Sequence, residues 1–271
     1  MSDWKIHANG KVKARVVDHV AILTLVNPPA NGYSYEMMRD LDEAILDARF
    51  DVNVEVIVIC GGGEKFFCAG ADIGMLNDVT PEFKYSFCLH ANETLLRLEH
   101  TPKLVIAAIN GHCVGGGLEI ALACDLRVAR DNSGKLGLPE IALGVLPGTG
   151  GTQRLARVVG RAKSIELMAE GNLVGTEEAE RLGLVTKRIE AQDDADFMRQ
   201  ILEYANTFTT PDKAALSVGN IKRAVQSGLE VPLEQGLALE RELQAKLFMS
   251  ADAKEGIAAF VEKRKASFQG K

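Results

Sequence analysis

Apolar and polar positions along the chain follow two periods, and the changes between them mark its elements. Residues 12–26 (VKARVVDHVAILTLV) are rich in β-branched side chains with a polar break at Asp18-His19, which predicts a hairpin. NPPANGYS follows, a turn cluster whose prolines and Asn31-Gly32 cannot continue a strand. Ser34 is then placed to cap a helix running to about Arg49, with Met38, Leu41, Ile45 and Ala48 on one face. VEVIVI (54–59) is apolar without alternation, the pattern of a strand covered on both faces. A glycine-rich loop, GGGEKFFCAGAD, leads to helical spacing from Pro81 to His100, with Phe83, Phe87, Leu95 and Leu98 available for packing. KLVIAAI (103–109) and DLRVAR (125–130) read as two further buried strands, with GHCVGGG between them opening the segment LEIALAC.

Strand, loop, helix and strand repeated in this order predict an α/β fold with right-handed crossovers and a mainly parallel sheet. After Gly148 the pattern is helical and is expected to stay so to the end: GTQRLARVVG, AKSIELMAEG, residues 176–183, 193–208, 211–227 and 232–248, and the basic amphipathic AKEGIAAFVEKRKASF. No low-complexity linker or internal repeat separates the halves. The expected division is a core over residues 1–200 and a helical region over 201–271.

Composition narrows the class of function. The 271 residues are 46 % hydrophobic and 25 % charged, an ordinary globular balance, and the net charge of −6 argues against a general polyanion binder such as a nucleic-acid protein. Met1-Ser-Asp-Trp-Lys lacks a basic segment followed by an apolar run, so no secretory signal is read there. The longest apolar stretches are too short to cross a bilayer. The five cysteines form no CxxC pair, and four sit among small or apolar neighbours, as buried thiols do in a reducing compartment. The expectation is a cytoplasmic protein that does not engage a membrane.

Two loops place glycine where backbone must approach something closely: Ala69-Gly70-Ala71-Asp72, and Gly115-Gly116-Gly117 at the start of a helix. Exposed N–H groups at a helix start suit an anion, or an oxygen that becomes anionic in a transition state. Glu119 stands in GGGLEIALAC, where its neighbours cannot solvate a carboxylate. A buried salt bridge to Arg127 or Arg154 is one explanation; use in chemistry is the other. Glu140 repeats the anomaly in LGLPEIALGVLPG, read as an apolar loop. Two such carboxylates fit general acid–base work, because burial and mutual repulsion push their pKa values apart. The histidines lack metal-binding spacing, and no G-x-S-x-G or G-x-G-x-x-G fingerprint is present. GTGGTQRL (148–155) looks like a phosphate loop without its Lys-Ser/Thr, and the Gly148 amide after Pro147 could help position a water.

At these residues the chain resembles the enoyl-CoA hydratase/isomerase (crotonase) superfamily. The segments NPPANGYS, FCAGADI, NGHCVGGGLEIALACDLRVA, LGLPEIALGVLPGTGGTQRL and EGIAAFVEKRK are similar to that family's motifs, in order, from Lys13 to Lys265. The resemblance implies a crotonase-like spiral of ββα units followed by a helical oligomerisation region, giving a homotrimer or a dimer of trimers. It implies an oxyanion hole from the N–H groups of Ala71 and Gly116, with Glu119 and Glu140 holding one water and Gly148 donating to it. Ala30, Ala69, Asp72 and Ile73 would line the acyl-CoA site, and Phe260 and Lys263 would reach the CoA nucleotide of a neighbouring subunit. No cofactor or metal is implied beyond the CoA of the substrate. The chain departs from the family in lacking a lysine in Pro28-Pro29-Ala30-Asn31, in having Gly74 where many relatives carry one, and in having Leu136 in place of an aromatic. Hydration of an enoyl-CoA is the expected reaction, since double-bond isomerases commonly need only one of the glutamates. Isomerisation, another lyase or hydrolase reaction such as hydration of a cyclic dienoyl-CoA, and a non-catalytic CoA-binding scaffold are the alternatives.

Overall fold

The computed structural model describes residues 4–271, apart from the side chains of Ile73 and Leu76; Met1–Asp3, part of the segment read for a signal, lie outside the described residues. The expected hairpin is formed by β2 (Val12–Val17) and β3 (Val20–Leu25), paired antiparallel around Asp18-His19, with Asp18 at φ 52°. A short edge strand, β1 (Lys5–Ile6), pairs with β2. Ser34 caps α1 (Tyr35–Phe50) by accepting from the Met37 N–H.

From β3 onward the main sheet is parallel: β4 (Val56–Gly61), β6 (Leu104–Ile109), β8 (Leu126–Arg130) and β11 (Lys187–Ile189) follow in spatial order. The uninterrupted apolar runs are explained by two covered faces. Ile57, Ile59, Val105 and Ala107 point into one core with α1, while Val56, Val58, Ile106 and Ala108 point into a second under α8 (Asp194–Asn206). Each fully buried Val, Leu or Ile side chain stabilises the fold by about 1.5–3 kcal/mol, so neither face tolerates a polar substitution. Asn110, buried at the end of β6, joins the strand ends by donating to the carbonyls of Gly61 and Gly63 and accepting from the Gly61 N–H.

A second sheet crosses the strand ends, in the order β10 (Val174–Gly175), β9 (Lys135–Gly137), β7 (His112–Val114) and β5 (Phe66–Cys68). Each of β4, β6 and β8 is thus followed by a short strand and then by helix. β4 and β5 lead to α2 (Ile73–Asp78) and α3 (Pro81–His100); β6 and β7 lead to α4 (Gly116–Leu122). β8 and β9 lead to a 3-10 turn at Glu140–Leu143 and then α5 (Gly151–Val159). The fold is therefore the expected mixed α/β architecture with a mainly parallel core.

The expectation of helix alone after Gly148 is corrected. The chain is not helical throughout after Gly148: α6 (Arg161–Glu170) is followed by β10, α7 (Thr176–Arg181) and β11, which closes the main sheet beside β8. Strands of two or three residues are too short to show alternation, and their pairing comes from the sheets they complete. The boundary at residue 200 falls inside α8, whose Phe197, Ile201 and Ala205 pack in the second core. The departing helices are α9 (Ala215–Gly228), α10 (Leu233–Phe248) and α11 (Ala251–Glu262). α9 is fastened to the core by buried Lys222, which pairs with Asp125 at 2.9 Å and donates to the carbonyls of Leu98 and Lys103. Ile221 and Val225 on α9, Leu229 just after it, and Leu233 and Phe248 on α10 are exposed in the single chain. No helix among the described residues is long and apolar enough to cross a membrane.

Candidate active site

The second sheet decides where the site lies. β5, β7 and β9 run parallel as neighbours, so the segments leaving their C-terminal ends emerge side by side. Those segments are Ala69–Asp72, Gly115–Gly116 and Pro139–Glu140, which bring together the oxyanion-hole candidates and one of the two carboxylates. Ala71 forms a parallel bridge with Tyr33: the Tyr33 N–H donates to the Gly70 carbonyl at 2.8 Å, and the Asp72 N–H donates to the Tyr33 carbonyl at 2.9 Å. In that pairing the Ala71 N–H points away from Tyr33. Gly116 is the first residue of α4, so its N–H has no acceptor within the helix. Neither N–H finds an acceptor among the described residues.

Both glycines before Gly117 are required by close approach. Gly115 has φ +56°, and a Cβ there would meet Glu140 Oε1 at 3.0 Å; a Cβ on Gly116 would lie 2.9 Å from the Tyr33 ring. The Glu140 carboxyl therefore rests against the backbone that turns β7 into α4. The Gly115 N–H is committed to the Gly137 carbonyl, which fixes the end of β7 against β9, the strand that leads to Glu140.

Glu119, in the first turns of α4, is 3 % exposed and fully engaged. Its Oε1 accepts from the N–H groups of Thr149 and Gly151, both at 2.8 Å, and its Oε2 is hydrogen-bonded to the Thr149 hydroxyl. Hydrogen bonds to a charged group contribute about 1.5–3 kcal/mol each, which offsets the cost of burying the carboxylate. The segment that looked like a phosphate loop is thus an anion cradle, and the anion is the chain's own Glu119. The expected salt bridge to Arg127 or Arg154 is not formed. Arg127 donates to the carbonyls of Leu184 and Cys124, and Arg154 pairs with Glu99 at 2.7 and 2.8 Å while reaching the Thr149 carbonyl. Arg154 therefore acts on Glu119 only through the loop it steadies.

Glu140 is held differently. It begins a 3-10 turn rather than lying in a loop, and its Oε2 is buried with no hydrogen-bond partner among the described residues. Burial pushes its pKa up to about 7, and the nearby Glu119 charge pushes the same way, while its own backbone N–H and Lys84 oppose the shift. The pair is electrostatically coupled, with one member locked by donors and the other poised to exchange a proton near neutrality.

The remaining predicted residues fall into two groups. Ala30 and Ala69 are joined at the cleft by the Ala69 N–H donating to the Ala30 carbonyl at 3.0 Å. Asp72 caps α2, accepting from the Met75 N–H through Oδ1. Ile73 opens α2, and its side chain lies outside the described residues. Gly148 packs against α3, where an added Cβ would meet Cys88 Sγ at 3.0 Å. Phe260 and Lys263 are not brought to the carboxylates: Phe260 is 87 % exposed on α11, and Lys263 ends that helix in a left-handed conformation.

Four residues near the site were not singled out from the sequence. Thr149 clamps Glu119, and Tyr33 covers Gly116 with its hydroxyl close to the Glu119 charge; burial, then that charge, raises its pKa well above the usual value. Cys88 and Lys84 on α3 form the opposite wall, Cys88 within reach of the Glu119 charge and Lys84 of Glu140. An apolar-flanked Thr between glycines and a lysine on a packed helix carry no chemical signature until the fold sets them beside a carboxylate. A cavity of about 750 Å³ adjoins the site on the side of Gly148 and Gly150, bounded also by Asn92, Leu96 and Arg157.

Comparison with known proteins places the chain in a family. Residues 16–271 match the family model described as enoyl-CoA hydratase/isomerase. A probable enoyl-CoA hydratase of Bacillus subtilis is 40 % identical over 260 residues, covering 96 % of this chain and 98 % of the relative. The (E)-benzylidenesuccinyl-CoA hydratase of Thauera aromatica is 39 % identical, covering 96 % and 99 %. The crystal structure of an enoyl-CoA hydratase from Geobacillus kaustophilus superposes with a TM-score of 0.92 at 42 % identity, covering 96 % of this chain and 97 % of that one.

Proposed function

This chain belongs to the enoyl-CoA hydratase/isomerase family, and from that premise we propose that it adds water across the 2,3 double bond of an enoyl-CoA thioester to give a 3-hydroxyacyl-CoA. The observation that carries the proposal is the unequal holding of two coupled carboxylates, Glu119 fixed by three donors and Glu140 with a bare oxygen and a pKa near 7. A reaction that removes a proton from water and delivers one to carbon needs such a pair.

In this reading the thioester oxygen accepts from the Ala71 and Gly116 N–H groups, which draws electrons from the double bond and stabilises the enolate as it forms. Donors of this kind contribute about 2.7–4 kcal/mol each in acyl transfer. Glu119 orients the attacking water with the lone pairs its three donors leave free, assisted by the Gly148 N–H. Water oxygen bonds to the β-carbon, protonated Glu140 gives its proton to the α-carbon, and the proton lost by water recharges the pair. Ala30, Ala69, Asp72 and Ile73 border the acyl-CoA, with no cofactor beyond it. Phe260 and Lys263 serve a neighbouring subunit, and the exposed apolar residues of α9 and α10 are covered in a trimer or a dimer of trimers in the cytoplasm.

The test is a spectrophotometric assay of the purified protein with crotonyl-CoA and longer enoyl-CoAs. Loss of the enoyl absorbance with formation of the 3-hydroxy product is expected. Migration of the double bond without hydration would replace this reading with an isomerase.

A further inference from the structure

Lys84 sits at the end of the first turn of α3, near Glu140, where the Cys88 thiol and the Phe87 ring are its neighbours and neither cancels its charge. The positive end of a helix dipole disfavours a cation there. No carboxylate among the described residues lies within ion-pairing distance of its ammonium, whereas Lys5, Lys163, Lys222 and Lys265 each have one. Its Nζ lies 5.2 Å from the centre of the Phe87 ring, and its stem runs along the α3 face that carries Cys88. Cys88 touches the Gly148 position and feels the Glu119 charge, and Lys84 feels the Glu140 charge. Lys84 and Cys88 are one turn apart on α3, so the ammonium shares the face that packs against Gly148, on the Glu140 side of the site. It is half-buried there, with donors to spare.

A neutral acyl chain would gain nothing from a half-buried ammonium at this place and would have to cover it. An acyl chain bearing its own carboxylate would supply the missing partner. Resting on the hydratase reading above, we propose that Lys84 is a specificity-determining residue that selects enoyl-CoA substrates whose acyl group carries a free carboxylate. The carboxylate accepts from the Lys84 ammonium on the α3 side of the cleft, which leaves the double bond between Glu119 and Glu140. The interaction is made in the ground state as well as in the transition state, so it acts mainly through KM.

The experiment compares glutaconyl-CoA, which ends in a carboxylate, with trans-2-pentenoyl-CoA, its neutral counterpart, in the full-length enzyme and in Lys84→Gln and Lys84→Glu. A charge-assisted hydrogen bond predicts that the unaltered enzyme prefers glutaconyl-CoA by about ten- to a hundred-fold in kcat/KM. The preference should collapse toward parity in Lys84→Gln and reverse in Lys84→Glu, chiefly through KM for glutaconyl-CoA. Hydration of pentenoyl-CoA with equal or weaker use of glutaconyl-CoA overturns this inference and leaves the hydratase reading standing. So does a Lys84→Gln variant that loses both substrates in equal proportion. Hydration of neither substrate, nor of crotonyl-CoA, by the unaltered enzyme overturns both. Circular dichroism of the variants separates misfolding from altered selectivity, and Lys84→Arg, which keeps the charge, must keep the preference.

Discussion

Glu119 and Glu140 occupy two regions that look alike in sequence and differ in structure. Each is a carboxylate set among apolar residues beside a glycine. Around Glu119 the loop from Gly148 to Gly151 folds inward and offers two N–H groups and a hydroxyl, backed by the Arg154–Glu99 pair. Around Glu140 the 3-10 turn offers only its own backbone, and one carboxyl oxygen is buried bare. Burial raises the Glu140 pKa because few donors follow its carboxyl inside. In the proposed mechanism the cradled glutamate orients the water and the uncradled one carries the proton.

Replacing each carboxylate by its amide is the harshest way to break this comparison. Glu140→Gln and Glu119→Gln should each lower kcat/KM for hydration by about 10²–10⁴-fold, measured with crotonyl-CoA. If the Glu119 variant alone keeps full rate, the clamp is structural and the division of labour is wrong. A gentler change, Thr149→Val, removes the hydroxyl bonded to Oε2 and leaves a buried charged oxygen short of a donor. Denaturant unfolding should show a loss of about 1–3 kcal/mol, and Glu119→Gln in the same chain should restore part of it, since an amide tolerates the site better than a charge.

The pH dependence sharpens the contrast. With Glu140 at about 7 and acting as the acid, kcat/KM for hydration should fall as pH rises through that value, and the reverse dehydration should fall as pH drops through it. The limb should disappear from the residual activity of Glu140→Gln. The smallest expected effect is on stability. Glu140 titrates higher in the folded chain than its ordinary 4.5, so the unfolded chain releases the proton first and folding weakens as pH climbs from there to about 7. Glu140→Gln should then be more stable than the unaltered protein by about 1–2 kcal/mol near pH 8, after discounting for partial exposure, and no more stable near pH 4. Thermal melts at the two pH values decide it; a destabilised variant near pH 8 would mean the carboxylate has donors after all.

Much of this was legible beforehand, for identifiable reasons. The strands β4, β6 and β8 announced themselves because both faces are covered, α1 because Ser34 is a strong start signal, and α3 by its helical spacing from Pro81. Glu119 and Glu140 stood out because charge among apolar residues has few explanations. The second sheet was not visible: β5, β7, β9 and β10 are two or three residues each, and glycine-rich surroundings read as loop. Thr149 and Lys84 were hidden because a hydroxyl or an ammonium acquires its role from what stands opposite it.

The chain by itself determined which segments are strand and helix over the long elements, and which residues could do chemistry, because periodicity and misplaced charge are local properties. Only the tertiary structure decided their roles. The parallel pairing of three short strands set Ala71, Gly116 and Glu140 in a row, and the inward fold of residues 148–151 gave donors to Glu119 and none to Glu140. Those are contacts between residues far apart in sequence, so no window along the chain contains them.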